Sequence, residues 1–251
     1  MVKVKICGLT RLEDALIVLE AGADDLGFIF YPPSPRAIAP EMAAEIIARL
    51  RRESAAQLTR ALAPNPWPLT PLFVGVFVNE SPATAADILD RCGLDLAQLS
   101  GDEPAADVTD PVSPLYGRAY KVLRPRSLDE ANDGAARFAA PPGSTGPRLQ
   151  LDTPHGRLYG GTGATGDWGI AAALAARLPE LMRAGGLTPD NVAAAVAAAR
   201  PFAVDVAGGV ESAPGIKDAG RVRAFIANAK ETQSTDYTDF TDYPLRNPSN
   251  L

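Results

Sequence analysis

Val2-Lys3-Val4-Lys5-Ile6-Cys7-Gly8-Leu9-Thr10, at the start of the chain, sets a pattern that the rest repeats. Apolar and polar residues alternate over Val2–Ile6, the two-residue period of a strand, and Cys7-Gly8 ends the run. Leu12–Ala21 then carries apolar residues at helical spacing, with Thr10 as its N-cap and Gly22 closing it. A second strand follows over Leu26–Phe30.

The same unit recurs. Pro40–Arg51 reads as a helix opened by a proline in its first turn, Phe73–Val78 as a strand, and Pro82–Arg91 as a helix begun by Ser81. Leu94–Leu99 and Ala119–Leu123 are strands, and Leu128–Phe138 is a helix. Arg148–Leu151 is a strand that ends at Asp152, and Trp168–Arg177 is a helix. Strand Glu180–Arg183, helix Pro189–Ala199, strand Phe202–Val206 and helix Arg221–Ala229 complete the series. Glu103–Tyr116 holds three prolines, so the fourth helix is at most a short turn. Eight strands alternating with helices imply a parallel sheet. No G-x-G-x-x-G follows the first strand, which argues against an open dinucleotide-binding sheet. The expected fold is an α/β single-domain (β/α)8 TIM barrel over residues 1–230.

Two segments stand outside the pattern. Ser54–Pro71, with Pro64, Pro66, Pro68 and Pro71, reads as a Pro-rich loop insertion. It follows a helix, so it should emerge on the N-terminal face of the barrel, away from the mouth. Residues 231–251 read as a disordered acidic tail, with Glu231, Asp236, Asp239 and Asp242 against Arg246. Neither segment is expected to serve catalysis.

The 251 residues, 46% of them hydrophobic, suffice for one large core. A formal net charge of -6 argues against a nucleic-acid partner. Lysines interrupt the N-terminal apolar residues, so neither a signal peptide nor a membrane span is expected. Cys7 and Cys92 form no C-x-x-C pair, and one histidine makes no metal cluster, so no metal is expected and a reduced cytoplasmic protein is the simplest reading.

In such a barrel the chemistry gathers at the C-terminal ends of the strands. Cys7, Arg36, Gln98, Asp152 and Asp205 fall there. Cys7 is either a buried structural thiol or a base. Asp152 is either a turn residue before Thr153-Pro154 or the acid partner of such a base. Gly185-Gly186 and Gly208-Gly209 are either turns or the phosphate site usual after strands seven and eight. Arg36, in Pro32-Pro33-Ser34-Pro35-Arg36, is either a solvated loop cation or a bidentate carboxylate ligand. His155 reads better as an exposed loop residue than as a catalyst.

Lys5-Ile6-Cys7-Gly8-Leu9-Thr10 resembles the opening signature of the phosphoribosylanthranilate isomerases of tryptophan biosynthesis. So do Gly27-Phe28-Ile29-Phe30, Ser34-Pro35-Arg36, Val74-Gly75-Val76-Phe77-Val78-Asn79 and Gln98-Leu99. Leu151-Asp152-Thr153, Gly160-Gly161-Thr162-Gly163 and Asp167-Trp168 continue the likeness. Ala184-Gly185-Gly186-Leu187, Pro189-Asp190-Asn191-Val192, Val204-Asp205-Val206, Gly209-Val210-Glu211 and Pro214-Gly215-Ile216-Lys217-Asp218 complete it in family order. The resemblance implies a cofactor-free Amadori rearrangement of N-(5-phosphoribosyl)anthranilate, a small phosphosugar. It makes Asp152 the general acid that opens the furanose and Cys7, as thiolate, the base at C2. Lys5, two residues before Cys7, is one candidate source of the positive field the thiolate needs, with Asp205 as its candidate partner. Arg36 then takes the anthranilate carboxylate, Gln98 and Asp205 bind substrate, and Gly185, Gly186, Gly208 and Gly209 hold the phosphate. The resemblance also raises association with indole-glycerol-phosphate synthase, the next enzyme of the pathway, on which the sequence is silent.

The chain departs from the family at Ser100, where histidine is common, at Ala207-Gly208 in place of Ser-Ser, and at Gly166 in place of phenylalanine. A histidine-pathway isomerase is the nearest rival, but the resemblance gives it aspartate at position 7. A non-catalytic phosphate-binding barrel is the rival of another class.

Overall fold

The computed structural model describes residues 1–60, 71–153 and 168–231. Eight parallel strands close into a barrel in chain order: β1 Lys3–Ile6, β2 Asp25–Ile29, β3 Leu72–Phe77, β4 Leu96–Leu99, β5 Ala119–Leu123, β6 Leu149–Leu151, β7 Leu181–Arg183 and β8 Ala203–Val206. β1 closes the ring on β8, with Lys5 opposite Asp205. The helices are α1 Leu12–Glu20, α2 Pro40–Arg60, α3 Pro82–Cys92, α4 Ala106–Thr109, α5 Leu128–Phe138, α6 Trp168–Ala175, α7 Val192–Ala199 and α8 Ala219–Glu231. A hairpin follows β8, made of β9 Glu211–Ala213 and β10 Ile216–Lys217.

Alternation along each strand sorts the side chains into two shells. Outward residues such as Val4, Ile6, Leu26 and Phe28 meet Val18, Ile47 and Phe225 of the helices in the main apolar core. Inward residues fill the barrel in rows. Val74, Leu96 and Tyr120 form an apolar plug. Lys5, Gln98, Gln150 and Asp205 form a buried polar row. Two residues further along four strands lie Cys7, Ser100, Asp152 and Ala207, which line the mouth.

About half of the element ends move by one to three residues from their expected places, and three differences are larger. α2 runs to Arg60, not Arg51, so residues 54–60 are helix rather than loop. Its buried stripe, Ala43, Ile46, Ile47, Leu50 and Ser54, keeps helical spacing past Arg51, and no proline interrupts it before Pro64. The prolines at 64, 66 and 68, His155, the Gly160–Gly163 motif, Gly166, Asp167 and the tail from 232 lie outside the described residues. Thr10 is not the cap of α1: Arg11 occupies that place without a side-chain cap, and the Thr10 hydroxyl donates to Gly215 O at 2.8 Å. The β9–β10 hairpin has no counterpart in the sequence reading. Elsewhere the local signals hold. Ser81 Oγ accepts from Thr84 N, and Gly22, at φ +83°, ends α1 with Ala23 N donating to Val18 O.

One buried ion pair braces the rim between β3 and β5. Lys121 Nζ lies 2.6 Å from Glu103 Oε2 and also donates to Gly101 O at 2.5 Å. Glu103 Oε1 accepts from the backbone N–H groups of Asn79 and Gly101. Removing one partner leaves the other charge buried and uncompensated, the costly case for such pairs. Glu103→Ala is expected to lose about 3–5 kcal/mol of stability, read by denaturant unfolding. A loss under about 1 kcal/mol, the scale of an exposed pair, would contradict this assignment.

Candidate active site

The C-terminal mouth of the barrel opens into a cavity of about 470 Å³. Cys7, Arg36, Gln98, Asp152, Gly185 and Gly186 line it, as do Asp205, Gly208 and Gly209, so the residues that the sequence put forward for catalysis, substrate and phosphate reach one cavity. Strand geometry explains this for the inward-facing ones. Cys7 continues the inward row of β1, Gln98 lies on β4, Asp152 continues β6, and Asp205 lies on β8.

The floor is a hydrogen-bonded network. Lys5 Nζ donates to Gln98 Oε1 at 2.8 Å and to Asp205 Oδ1 at 3.0 Å. Tyr120 OH donates to the same Gln98 oxygen at 3.0 Å, and Gln98 Nε2 donates to Ser100 Oγ at 3.1 Å. Gln150 Nε2 reaches the second oxygen of Asp205 at 3.2 Å. Burial acts to pull the Lys5 ammonium down, but Asp205, Cys7 and Tyr120 outweigh it, and Lys5 is held well above its ordinary value. A fixed positive charge therefore stands under the thiol.

Cys7 is buried beside Gly27, where an added Cβ would come within 2.8 Å of Sγ. Burial pushes the Cys7 thiol up; Lys5 and, more weakly, Lys217 pull it back, and the net shift is upward. Burial also raises the Asp152 carboxyl, against Arg124 and the Thr153 N–H that donates to Oδ1 at 2.8 Å. Asp152 therefore keeps its proton to a higher pH than an exposed aspartate does. Arg124 Nε lies 3.6 Å from Asp152 Oδ2, and its Nη1 donates to Ser100 O at 3.1 Å.

The rim after β7 and β8 is built on close backbone approach. Gly185 has φ +87°, and a Cβ there would collide with Thr153 Oγ1 and sit 2.6 Å from Asp152 Oδ1. Only glycine lets this turn pass the acid. A Cβ on Gly209 would strike the carbonyl of Leu187, so the two rim loops meet backbone to backbone. Asn191 pins the first loop, donating from Nδ2 to Gly186 O at 2.9 Å and accepting from Thr188 N at 2.8 Å.

Arg36 differs from the simple picture of a carboxylate ligand. Its Nε and Nη2 already form a fork on Glu211, with distances of 2.7 to 3.0 Å. Arg124 was missed in the sequence, although two-residue alternation from Tyr120 through Val122 puts it inside the barrel end. Glu211 and Lys217 stood within quoted motifs without a role. Among the described residues no group of three or more His, Cys, Asp or Glu side chains can hold a metal, and no helix is long and apolar enough to cross a membrane.

Comparison with known proteins places the fold and the family. The family described as N-(5'phosphoribosyl)anthranilate (PRA) isomerase matches residues 4–228. The N-(5'-phosphoribosyl)anthranilate isomerase of Geobacter sulfurreducens is 50% identical over 230 residues, 92% of this chain and 99% of that one. The crystal structure of the Thermotoga maritima phosphoribosyl anthranilate isomerase superposes with a TM-score of 0.73 at 36% identity, covering 92% of this chain and all of the other. A phosphoribosyl anthranilate isomerase in complex with reduced 1-(o-carboxyphenylamino)-1-deoxyribulose 5-phosphate superposes at 0.68 with 35% identity, over 92% of this chain and 100% of that one. With a match that spans the whole barrel, this chain belongs to the N-(5'-phosphoribosyl)anthranilate isomerase family.

Proposed function

We propose that the chain converts N-(5-phosphoribosyl)anthranilate to 1-(o-carboxyphenylamino)-1-deoxyribulose 5-phosphate by acid–base catalysis. The observation that carries the reading is one cavity holding the Cys7 thiol and the Asp152 carboxyl, with the two glycine pairs on its rim. Asp152, whose hold on its proton burial strengthens, gives that proton to the furanose oxygen. The C1–O bond breaks and the anilino nitrogen's lone pair forms C1=N. Cys7 as thiolate removes the C2 proton; the C–H electrons form C1=C2 and the C=N pair returns to nitrogen. The enolamine becomes the ketone as C1 gains a proton and the C2 hydroxyl loses one. A net transfer of one proton from Cys7 to Asp152 over these last steps leaves the enzyme as it began.

The substrate is anionic at both ends. The backbone of Gly185, Gly186, Gly208 and Gly209 suits the phosphate, since the loops offer N–H groups without side chains in the way. Arg36 suits the anthranilate carboxylate. Its Nη1 makes no hydrogen bond among the described residues, so one edge stays open beside the fork to Glu211. Gln98 and Asp205 orient Lys5 and face the sugar. The setting is the cytoplasm, where Cys7 and Cys92, both free thiols, stay reduced. Nucleic acid plays no part.

Complementation tests the activity. The chain should restore growth of a tryptophan auxotroph lacking this isomerase, and Cys7→Ala and Asp152→Ala should not; growth with either variant sinks the mechanism. Arg36→Ala is expected to raise KM about 10- to 100-fold, the range for a lost hydrogen bond to a charged group, with a smaller change in kcat. An unchanged KM in steady-state assays would remove Arg36 from the substrate contacts.

A further inference from the structure

Glu211 sits at the start of β9, buried, and its carboxylate lies between two cations. Oε2 accepts from Arg36 Nη2 at 2.7 Å, while Oε1 accepts from Arg36 Nε and from Lys217 Nζ, both at 2.8 Å. Lys217 is fully buried on β10 and donates onward to Cys7 O at 2.7 Å and Ala207 O at 3.2 Å. The Arg36 stem lies across Gly8, where an added Cβ would come within 2.8 Å of Cδ. A Cβ on Gly208 would stand 3.3 Å from Arg36 Nη2. The hairpin thus ties the arginine of the second loop to the end of β1 and to the rim after β8. Arg36 and Lys217 pull the Glu211 carboxyl below its ordinary value despite burial, so the anion persists between them.

We propose that Glu211 is a positioning residue for substrate recognition: it locks the Arg36 guanidinium so that the edge bearing Nη1 meets the aryl carboxylate, with Lys217 anchoring the lock to the site. The proposal rests on the reading of Arg36 as the carboxylate ligand. One carboxylate holds two cations, so the triad carries a net single positive charge, and the fork fixes its direction. A flexible arginine must be ordered at each binding event; a forked one has already lost that freedom.

The test compares N-(5-phosphoribosyl)anthranilate with N-(5-phosphoribosyl)aniline, which lacks the carboxylate, on wild type, Arg36→Ala, Glu211→Gln and Glu211→Asp. The quantity read is the ratio of kcat/KM for the two substrates. Glu211→Gln should cut that preference about 10-fold, mainly through KM, and the double variant with Arg36→Ala should show no further loss. Glu211→Asp keeps the charge but is one methylene short of spanning both cations, so it should cut the preference too and serves if the glutamine variant does not fold. A purely structural lesion lowers both substrates alike and leaves the ratio intact; that result overturns the proposal. If Arg36→Ala lowers the ratio and neither Glu211 variant does, the positioning role alone falls. If Arg36→Ala leaves the ratio unchanged, the reading of Arg36 falls, and this proposal with it.

Discussion

Cys7→Ser is expected to lower kcat about 10²- to 10⁴-fold, the usual contribution of a general base, while KM changes only a few-fold. The substitution keeps the shape of a buried side chain packed at Gly27 and changes chiefly its proton affinity. Cys7 carries burial's penalty on its charged form, offset in part by Lys5 and Lys217. An alcohol in that place faces the same penalty from a far higher starting value, so its anion is scarcely populated near neutrality. A group that acts on the transition state lowers kcat and kcat/KM together. Steady-state kinetics over a pH series checks this. The falling alkaline limb of kcat/KM, which reports loss of the second proton from the acid–base pair, should leave the accessible range in the serine variant. Near-native turnover by Cys7→Ser would sink the thiolate mechanism even with the fold and substrate correct.

How far the sequence could reach is visible in particular residues. Lys5 and Cys7 stand two apart in a run that reads as a strand, so their shared face follows from chain geometry alone. The β/α alternation, Ser81 as a cap and Gly22 as a stop are likewise local signals. The end of α2 was misplaced because a proline cluster suggested an early loop, whereas the buried stripe carries the helix to Arg60. What local patterns cannot supply is the partner chosen across the barrel. Arg36 and Glu211 are 175 residues apart, and Lys5 and Asp205 are 200 apart. Barrel closure of β1 on β8 brings the second pair into register, and the β9–β10 hairpin folds back to deliver the first. The motif around Glu211 was legible as a motif; that its carboxylate already occupies most of the Arg36 fork is a property of the fold.

Asp152→Asn is the matching test of the acid, with an expected kcat loss of about 10²- to 10⁴-fold. Asparagine preserves the size of the side chain but has no proton acidic enough to open the furanose. The pH dependence separates this from a general loss of structure. Catalysis needs Asp152 protonated and Cys7 ionised, yet burial raises both groups, and a thiol ordinarily titrates above a carboxyl. The wild-type kcat/KM profile should therefore be a bell. Its acid limb rises as the pair loses its first proton, at an apparent value set mainly by Asp152, above the ordinary range of an aspartate. The alkaline limb falls at a value set mainly by Cys7, above that of an ordinary thiol. Within the plateau only the minor tautomer, with the proton on Asp152 and not on Cys7, reacts. Asp152→Asn should lose the acid limb and the plateau, so that the residual rate climbs with pH up to the Cys7 titration. Arg124→Met should act on the same limb without removing it. Arg124 holds Asp152 down against burial, so its loss shifts the acid limb to higher pH. An asparagine variant that kept both limbs in place would mean that another group donates the proton. An unmoved acid limb in Arg124→Met would mean that the limb does not belong to Asp152.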